Sequence, residues 1–228
     1  MRRWNSLLKL PIIILNVKAY AESIGEKGLA LAKACKEVSK DTGVEIAIAP
    51  QQVDLAWIAK QVEIPCFSQH VDAISPGSYT GFVSLEAIKS AGAVGTLLNH
   101  SEHPMKIIEI DKIIQRSNEL DLLVVACTNN LSVTKAIAEL SPYAIAVEPP
   151  ELIGSGIPVS KADPEIVSNS VKAVKKIDNN IVVLCGAGIS TGDDVRAAIE
   201  LGAEGVLLAS GVVKAKDPKK ALLDLASF

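Results

Sequence analysis

Ile181-Val182-Val183-Leu184-Cys185-Gly186-Ala187-Gly188 is a run of consecutive apolar side chains that ends abruptly in small ones. A strand with one solvated face alternates apolar and polar residues, whereas a parallel strand that is covered on both faces is apolar throughout. The run therefore indicates a buried parallel strand, with helices over the outer face of its sheet.

Similar short runs recur along the chain and alternate with longer stretches of helical periodicity. The eight predicted strands are Ile12–Leu15, Glu45–Ala49, Pro65–Ser68, Gly95–Leu98, Leu122–Ala126, Ala144–Val147, Ile181–Leu184 and Gly205–Leu208. The eight predicted helices are Glu26–Lys40, Val53–Gln61, Ser84–Ser90, Met105–Asn118, Ser132–Leu140, Pro164–Ile177, Asp193–Glu200 and Pro218–Ala226.

Eight strand–helix units in 228 residues predict a closed (β/α)8 barrel, the TIM barrel of the α/β class. No linker rich in Gly, Ser or Pro interrupts the series, so we expect a single domain over residues 1–228. An open, doubly wound sheet is the alternative, but no nucleotide-binding fingerprint follows the first predicted strand.

The composition excludes several classes of protein. Hydrophobic residues make up 49% of the chain and charged residues 21%, which is too apolar for a disordered protein. The net charge of −3 gives no basis for binding nucleic acid or an anionic membrane surface. No stretch reaches the ~18 consecutive apolar residues of a membrane helix.

The N-terminus and the cysteines indicate a soluble cytoplasmic protein. Met1-Arg2-Arg3-Trp4 superficially suggests a signal peptide, but the apolar run Leu10–Leu15 is short and contains Pro11. The four cysteines have neither a CxxC pair nor the spacing of metal ligands, which predicts buried thiols and no bound metal: Cys35, Cys66, Cys127 and Cys185.

Reactive side chains of such a barrel lie at the carboxyl ends of its strands. The polar candidates directly after the apolar runs are Asn16, Lys18, Gln51, His70, Asn99, His100, Glu102, Thr128, Asn129 and Glu148. The last two runs end instead in Gly186-Ala187-Gly188 and Ala209-Ser210-Gly211. Small residues let backbone N–H groups approach an anion closely, which predicts a phosphate site, although a tight turn alone would also explain the glycines.

Glu148 is the candidate general base. It follows a strand and precedes residues 149–156, where two prolines and a glycine-rich stretch are typical of a mobile lid. A solvated loop carboxylate is the alternative interpretation. Glu151 is the rival base, but it lies out in the predicted lid.

His100 and Lys18 each have a functional and a structural interpretation. A histidine near a helix start is expected to stay neutral and to donate a hydrogen bond, or it is simply a structural side chain. Lys18 is expected to pair with Glu102 or with an anion at the barrel mouth, or to lie in solvent. His70 and His103 are interpreted as structural.

Four motifs occur in a defined order: Asn16-Val17-Lys18, Leu98-Asn99-His100-Ser101-Glu102, residues 147–156 (Val-Glu-Pro-Pro-Glu-Leu-Ile-Gly-Ser-Gly) and Cys185-Gly186-Ala187-Gly188-Ile189. In order and in strand position they resemble the triosephosphate isomerase family, and most closely its short archaeal type. The similarity extends from Pro11 to the C-terminus.

The resemblance implies interconversion of dihydroxyacetone phosphate and D-glyceraldehyde 3-phosphate, in glycolysis and gluconeogenesis, with no cofactor. It implies that Glu148 is the base and His100 the neutral electrophile, and that Asn16 and Lys18 complete the catalytic and substrate contacts. The implied phosphate contacts are main-chain groups near Ile153, Gly154, Gly188, Ala209 and Ser210.

The chain also departs from the commoner form of the family. Val17 replaces an aromatic residue, Gly188 replaces a serine, and Ala209-Ser210 replace two glycines, so a hydroxyl is lost at Gly188 while the backbone N–H remains. Residues 69–81 resemble the loop that docks into a neighbouring subunit, which implies a homo-oligomer, commonly a tetramer in the archaeal type. A further interface is consistent with an excess of apolar residues on one predicted helix: Met105, Ile107, Ile108, Ile110, Ile113 and Ile114.

Two other functions stay open from the sequence. A lyase or synthase acting on a larger phosphorylated substrate would have an open pocket and no closing Glu-Pro lid. A non-catalytic metabolite-binding or assembly protein could keep the barrel, but would not need Asn16, Lys18, His100 and Glu148 together.

Overall fold

The computed structural model describes residues 8–149 and 164–228, and within them eight strands form one sheet. The strands are β1 Ile12–Asn16, β2 Glu45–Ala49, β3 Phe67–Ser68, β4 Gly95–Leu98, β5 Leu123–Thr128, β6 Ala144–Val147, β7 Val182–Cys185 and β8 Gly205–Leu208. The helices are α1 Glu26–Thr42, α2 Leu55–Ala59, α3 Leu85–Ser90, α4 Ile107–Glu119, α5 Leu131–Ala138, α6 Pro164–Ile177, α7 Gly192–Glu200, α8 Ser210–Val213 and α9 Pro218–Leu225.

The sheet is parallel and closes on itself. Except for β2 and β3, each strand pairs with its neighbour in the chain, and β1 also pairs with β8. β2 and β3 meet through a bridge between Ile48 and Cys66, where the Ile48 N–H donates to the Pro65 carbonyl at 3.0 Å. The predicted (β/α)8 barrel is confirmed, and the open sheet is wrong because this bridge joins its two edges.

The predicted elements differ from the observed ones mainly at their ends. β3 contains only two of the four residues predicted for it, since Pro65 has no N–H to give to a ladder. The second helix is shorter than predicted, and α4 begins at Ile107 rather than Met105. The short helix α8 is not in the prediction. In the described part of the chain, no helix has both the length and the apolar character needed to span a membrane.

The barrel interior is a packed core rather than a channel. Because side chains alternate along a strand, every second residue faces inward. The buried inward cluster consists mostly of Ile12, Ile14, Ala47, Ala49, Phe67, Leu97, Leu123, Val125, Cys127, Ala144, Ala146, Val182, Leu184 and Leu207. The other phase of each strand packs against the helices in a separate, larger cluster.

The same alternation determines which residues reach the mouth of the barrel. Asn16 continues the inward phase of β1, Glu148 lies two residues beyond Ala146, and Gly186 lies two residues beyond Leu184. At the opposite end, buried Leu8 packs into the inward cluster, and Lys9 Nζ donates to the Gly43 carbonyl at 2.7 Å. The segment from Leu8 to Leu10 thus covers the barrel floor and leaves the mouth to the loops.

Candidate active site

A cavity of about 190 Å³ opens at the carboxyl ends of the strands. Its described lining combines charged residues from the first half of the chain with small residues after β7 and β8: Asn16, Lys18, Tyr20, His100, Glu102, Glu148, Gly186, Ala187, Gly188, Ile189, Ser190, Leu207, Leu208, Ala209 and Ser210. This set includes each described residue that the resemblance assigns to catalysis or substrate binding: Asn16, Lys18, His100, Glu148, Gly188, Ala209 and Ser210. Ile153 and Gly154, with Glu151 and the predicted lid from residue 150 onward, lie outside the described residues.

Glu148 is buried at the centre of the cavity, with 3% of its surface exposed. Its Oε1 lies 3.6 Å from Nε2 of His100, and its Oε2 has no hydrogen-bond partner among the described residues. Burial raises the pKa of the carboxyl to about 8, against the opposing effects of the Cys127 thiol and the Lys18 ammonium. A buried carboxylate with one unsatisfied oxygen can accept a proton from a ligand beside it.

Glycine at position 186 makes room for that carboxylate. A Cβ at Gly186 would collide with Cγ of Glu148 and would lie 3.1 Å from both Cδ and Oε1. The glycine predicted as part of a phosphate loop is therefore also required by the side chain next to it, because no other residue leaves this space empty.

His100 presents one ring nitrogen to the cavity. Its Nδ1 accepts the backbone N–H of Glu102 at 3.1 Å, which assigns the proton to Nε2, on the side of Glu148. The pKa of His100 is lowered by burial and by the Lys18 ammonium, which outweigh Glu102. The expected direction is correct, but these causes replace the helix dipole of the prediction, because α4 starts only at Ile107.

Lys18 crosses the mouth from the first loop. Its Nζ lies 2.7 Å from Oε1 of Glu102, and the lysine side chain is 13% exposed. The expected pairing of these two residues is thus present in the structure. Asn16 supports the same loop, since its Oδ1 accepts the backbone N–H of Lys18 at 3.0 Å. The Asn16 amide group has no acceptor among the described residues and belongs to the cavity wall.

The opposite wall of the cavity is made of backbone. Gly188 has a φ of +73°, which favours glycine, and α8 begins at Ser210 without a side-chain cap from Ala209. The N–H groups of Ser210 and Gly211 have no acceptor among the described residues, although both lie in or next to the cavity wall. Such donors, with small side chains between them, suit a ligand with several oxygens.

The sequence matches one family over almost its whole length. The triosephosphate isomerase family model matches residues 11–227. The chain belongs to the triosephosphate isomerase family. Its relatives include the triosephosphate isomerases of Methanothermobacter thermautotrophicus (55% identical over 217 residues, 95% of both chains) and Methanosarcina barkeri (57% over 216 residues, 95% of this chain and 97% of the relative). That of Methanocaldococcus jannaschii is 55% identical over 217 residues, 95% of this chain and 99% of the relative.

The resemblance to the archaeal type of triosephosphate isomerase is therefore confirmed. The other strand-end candidates do not line this cavity, although Asn99, Thr128 and Asn129 line a neighbouring one that also reaches Glu148. Asn99 Nδ2 donates to the Cys127 carbonyl at 3.0 Å, and Thr128 Oγ1 lies 2.8 Å from Thr134 Oγ1. The rings of His70 and His103 stack with centroids 3.8 Å apart. Gln51 and Asn129 are likewise outside the described lining.

The sequence alone does not predict the roles of two neighbours of this cavity. Cys127 was predicted only as a buried thiol, but it acts on the Glu148 carboxyl, and its inward phase on β5 was the available signal. Gln69 is predicted only as part of the docking loop, but its amide contacts the backbone of Lys18. All four cysteines are buried and unbridged, as predicted.

Proposed function

We propose that this protein interconverts dihydroxyacetone phosphate and D-glyceraldehyde 3-phosphate through an enediolate, with Glu148 as base and neutral His100 as electrophile. The observation that carries the proposal is the 3.6 Å approach of Glu148 Oε1 and His100 Nε2 in one buried cavity. Proton acceptor and hydrogen-bond donor are then within reach of adjacent atoms of a three-carbon substrate.

Glu148 supplies the proton transfer. Its carboxylate removes a proton from one of the two adjacent carbons that exchange carbonyl and hydroxyl character, and returns it to the other. Burial makes the carboxylate a stronger base than a solvated one, as the pKa of about 8 expresses. One carboxylate serves both carbons, and the neutral His100 ring relays the hydroxyl proton from one substrate oxygen to the other, so both proton transfers balance without a second reagent.

His100, Lys18 and Asn16 stabilise the charge that develops on the substrate oxygens. The Nε2–H of His100 donates to the carbonyl oxygen, which becomes the enediolate oxygen. The lowered pKa of His100 keeps this ring neutral near pH 7, so that it polarises the carbonyl without an ion pair with Glu148. The ammonium of Lys18 and the amide of Asn16 add fixed donors at the same cavity.

The phosphate group is bound by main-chain N–H groups. We place it against Gly188, Ala209 and Ser210, and we propose main-chain groups near Ile153 and Gly154 as further contacts. The unpaired N–H group of Ser210 and the lining of this wall support the placement. Gly188 has no hydroxyl, so at this residue only the backbone can donate a hydrogen bond to the phosphate.

We infer that residues 1–228 form one barrel domain that assembles into a homo-oligomer, a tetramer by analogy with the archaeal type. The loop expected to dock into a neighbour, residues 69–81, carries Tyr79, which is 48% exposed and contacts the 55% exposed Phe82, directly after the loop, edge to face. On α4, Ile110 is buried but Ile107 and Ile108 are more than half exposed. Apolar surface of this kind is typical of subunit contacts. We also propose a cytoplasmic location and a role in glycolysis and gluconeogenesis, the pathways that the family resemblance implies.

A coupled assay of both triose phosphates tests the proposal. Wild-type protein should convert each into the other, and Glu148→Gln should lose ~10² to 10⁴ of kcat with an unchanged circular dichroism spectrum, since an amide cannot accept the proton. A matched control is Glu200→Gln, which alters an exposed carboxylate on α7. Near wild-type turnover by Glu148→Gln would remove this residue from the role of base.

A further inference from the structure

Lys18 has a backbone conformation that its side chain does not favour. Its φ is +50°, in the left-handed region, although it is not a glycine. For a residue with a Cβ this conformation is disfavoured by about tenfold or more in population. Such an outlier persists only where its surroundings enforce it, so the contacts around Lys18 must do so.

Hydrogen bonds hold the peptide groups on both sides of Lys18. The Lys18 N–H donates to Oδ1 of Asn16 at 3.0 Å. The preceding carbonyl, of Val17, accepts the hydroxyl of Ser23 at 3.3 Å. The carbonyl of Lys18 itself accepts Nε2 of Gln69 at 3.0 Å. Asn16 and Ser23 are close to Lys18 in sequence, whereas Gln69 follows another strand and is 51 residues away from Lys18 along the chain.

The amide of Gln69 spans two strand ends at once. Besides the carbonyl of Lys18, its Nε2 also donates to the carbonyl of Ala49, the last residue of β2, at 3.0 Å. The Ala49 carbonyl accepts the N–H of Val17 as well, at 3.2 Å. Both protons of the amide are therefore used, and they fix the turn at Lys18 to the ends of β2 and β3.

We infer that Gln69 is a positioning residue of the site, whose side-chain amide holds Lys18 in the left-handed conformation that directs its ammonium across the cavity. The inference rests on the proposed function, in which Lys18 contacts the substrate. Gln69 is outside the described lining of the cavity, so it acts through the backbone of Lys18. Without the amide, the carbonyl of Lys18 loses its partner and the φ of this residue is free to become negative.

Gln52 provides a matched control. This second glutamine lies in the loop after β2 and contacts the end of β3. Its Nε2 donates to the His70 carbonyl at 3.0 Å, and its Oε1 accepts the hydroxyl of Ser68 at 2.8 Å. It makes comparable hydrogen bonds but none to Lys18. Methionine at either position keeps the length of the side chain and removes the amide.

The test compares wild-type enzyme with Gln69→Met and Gln52→Met. We expect Gln69→Met to raise both KM and the inhibition constant of inorganic phosphate about tenfold, matching the disfavoured population of the left-handed conformation. Gln52→Met should leave both constants within about twofold of wild type. A purely structural loss would lower the active fraction, and so the apparent kcat, while KM and phosphate inhibition stayed constant.

A crystal structure of Gln69→Met provides a readout that does not depend on activity, because the φ of Lys18 should become negative. The inference is overturned if folded Gln69→Met keeps the wild-type KM and phosphate affinity, or if Gln52→Met changes them equally. Should the methionine variant not fold, Gln69→Asn, whose shorter amide cannot span both carbonyls, is tested in the same way. An inactive wild-type enzyme would refute the proposed function, whereas phosphate calorimetry and the φ of Lys18 would still decide the role of Gln69.

Discussion

Replacing Glu148 by glutamine should make the protein more stable, and increasingly so as the pH rises. The folded-state pKa of Glu148 is about 8, whereas the ordinary value is 4.5. Below pH 4.5 both folded and unfolded chains carry the proton, so burial of the neutral carboxyl has no pH-dependent cost. Between these values only the unfolded chain releases the proton, and the free energy of unfolding falls as the pH increases.

The size of the effect follows from the two pKa values. Each pH unit between 4.5 and about 8 lowers the free energy of unfolding of the wild-type protein by about 1.4 kcal/mol. The total loss above pH 8 is about 5 kcal/mol. Glutamine resembles the protonated acid and has no such dependence. The difference between Glu148→Gln and wild type should therefore grow steadily from pH 5 and level off above pH 8.

Urea unfolding followed by circular dichroism, at each pH from 5 to 9, measures this difference. Glu200→Gln, an exposed replacement on α7, should show no growth with pH. If the difference in free energy of unfolding between Glu148→Gln and wild type stays constant from pH 5 to 9, burial does not disfavour the ionised form of Glu148. The argument from burial would then be wrong.

Three further outcomes are expected. His100 should stay neutral between pH 6 and 8 in an NMR titration of its ring nitrogens, since burial and the nearby ammonium oppose protonation; a normal titration near pH 6.5 would contradict this. In calorimetry, Gly188→Leu should abolish most phosphate binding and Lys18→Met should weaken it. Ser210→Ala should reduce the affinity least, because a backbone donor survives side-chain truncation. If Ser210→Ala reduces it most, the phosphate is not bound mainly by main-chain N–H groups. Gly186→Ala should displace the proposed base and lower kcat by up to about 10²-fold with little change in KM, whereas unaltered turnover would show that the space is not needed.

The barrel itself was predictable from the sequence because its strands are buried on both faces. Runs such as Leu122–Ala126 have no other suitable environment in a chain of this length, and all eight strands are present. The predicted length of β3 is too great, because an apolar run does not show that Pro65 offers only its carbonyl to the neighbouring strand. The start of α4 was misplaced by two residues, because Lys106 serves as its N-cap and Glu109 accepts the Lys106 N–H.

The proposed site was predictable to the extent that it lies at strand ends. Glu148 and Asn16 follow from the inward phase of β6 and β1, and the pairing of Lys18 with Glu102 follows from the cost of an isolated ammonium. The contacts of Cys127 and Gln69 required the register between strands, which one sequence does not provide. The left-handed φ of Lys18 was equally invisible, because lysine has no preference for that conformation.

The four buried thiols can be used to measure local unfolding, because none of them is accessible in the folded protein: Cys35, Cys66, Cys127 and Cys185. A thiol reagent can react with them only when the surrounding structure separates, so the rate of labelling at each position measures the free energy of that local opening. Cys127 faces the barrel interior beside the proposed base, whereas Cys35 lies on the buried face of α1, so their rates would compare the inner and outer layers of the protein. A ligand that closes the mouth would slow labelling of the first more than the second.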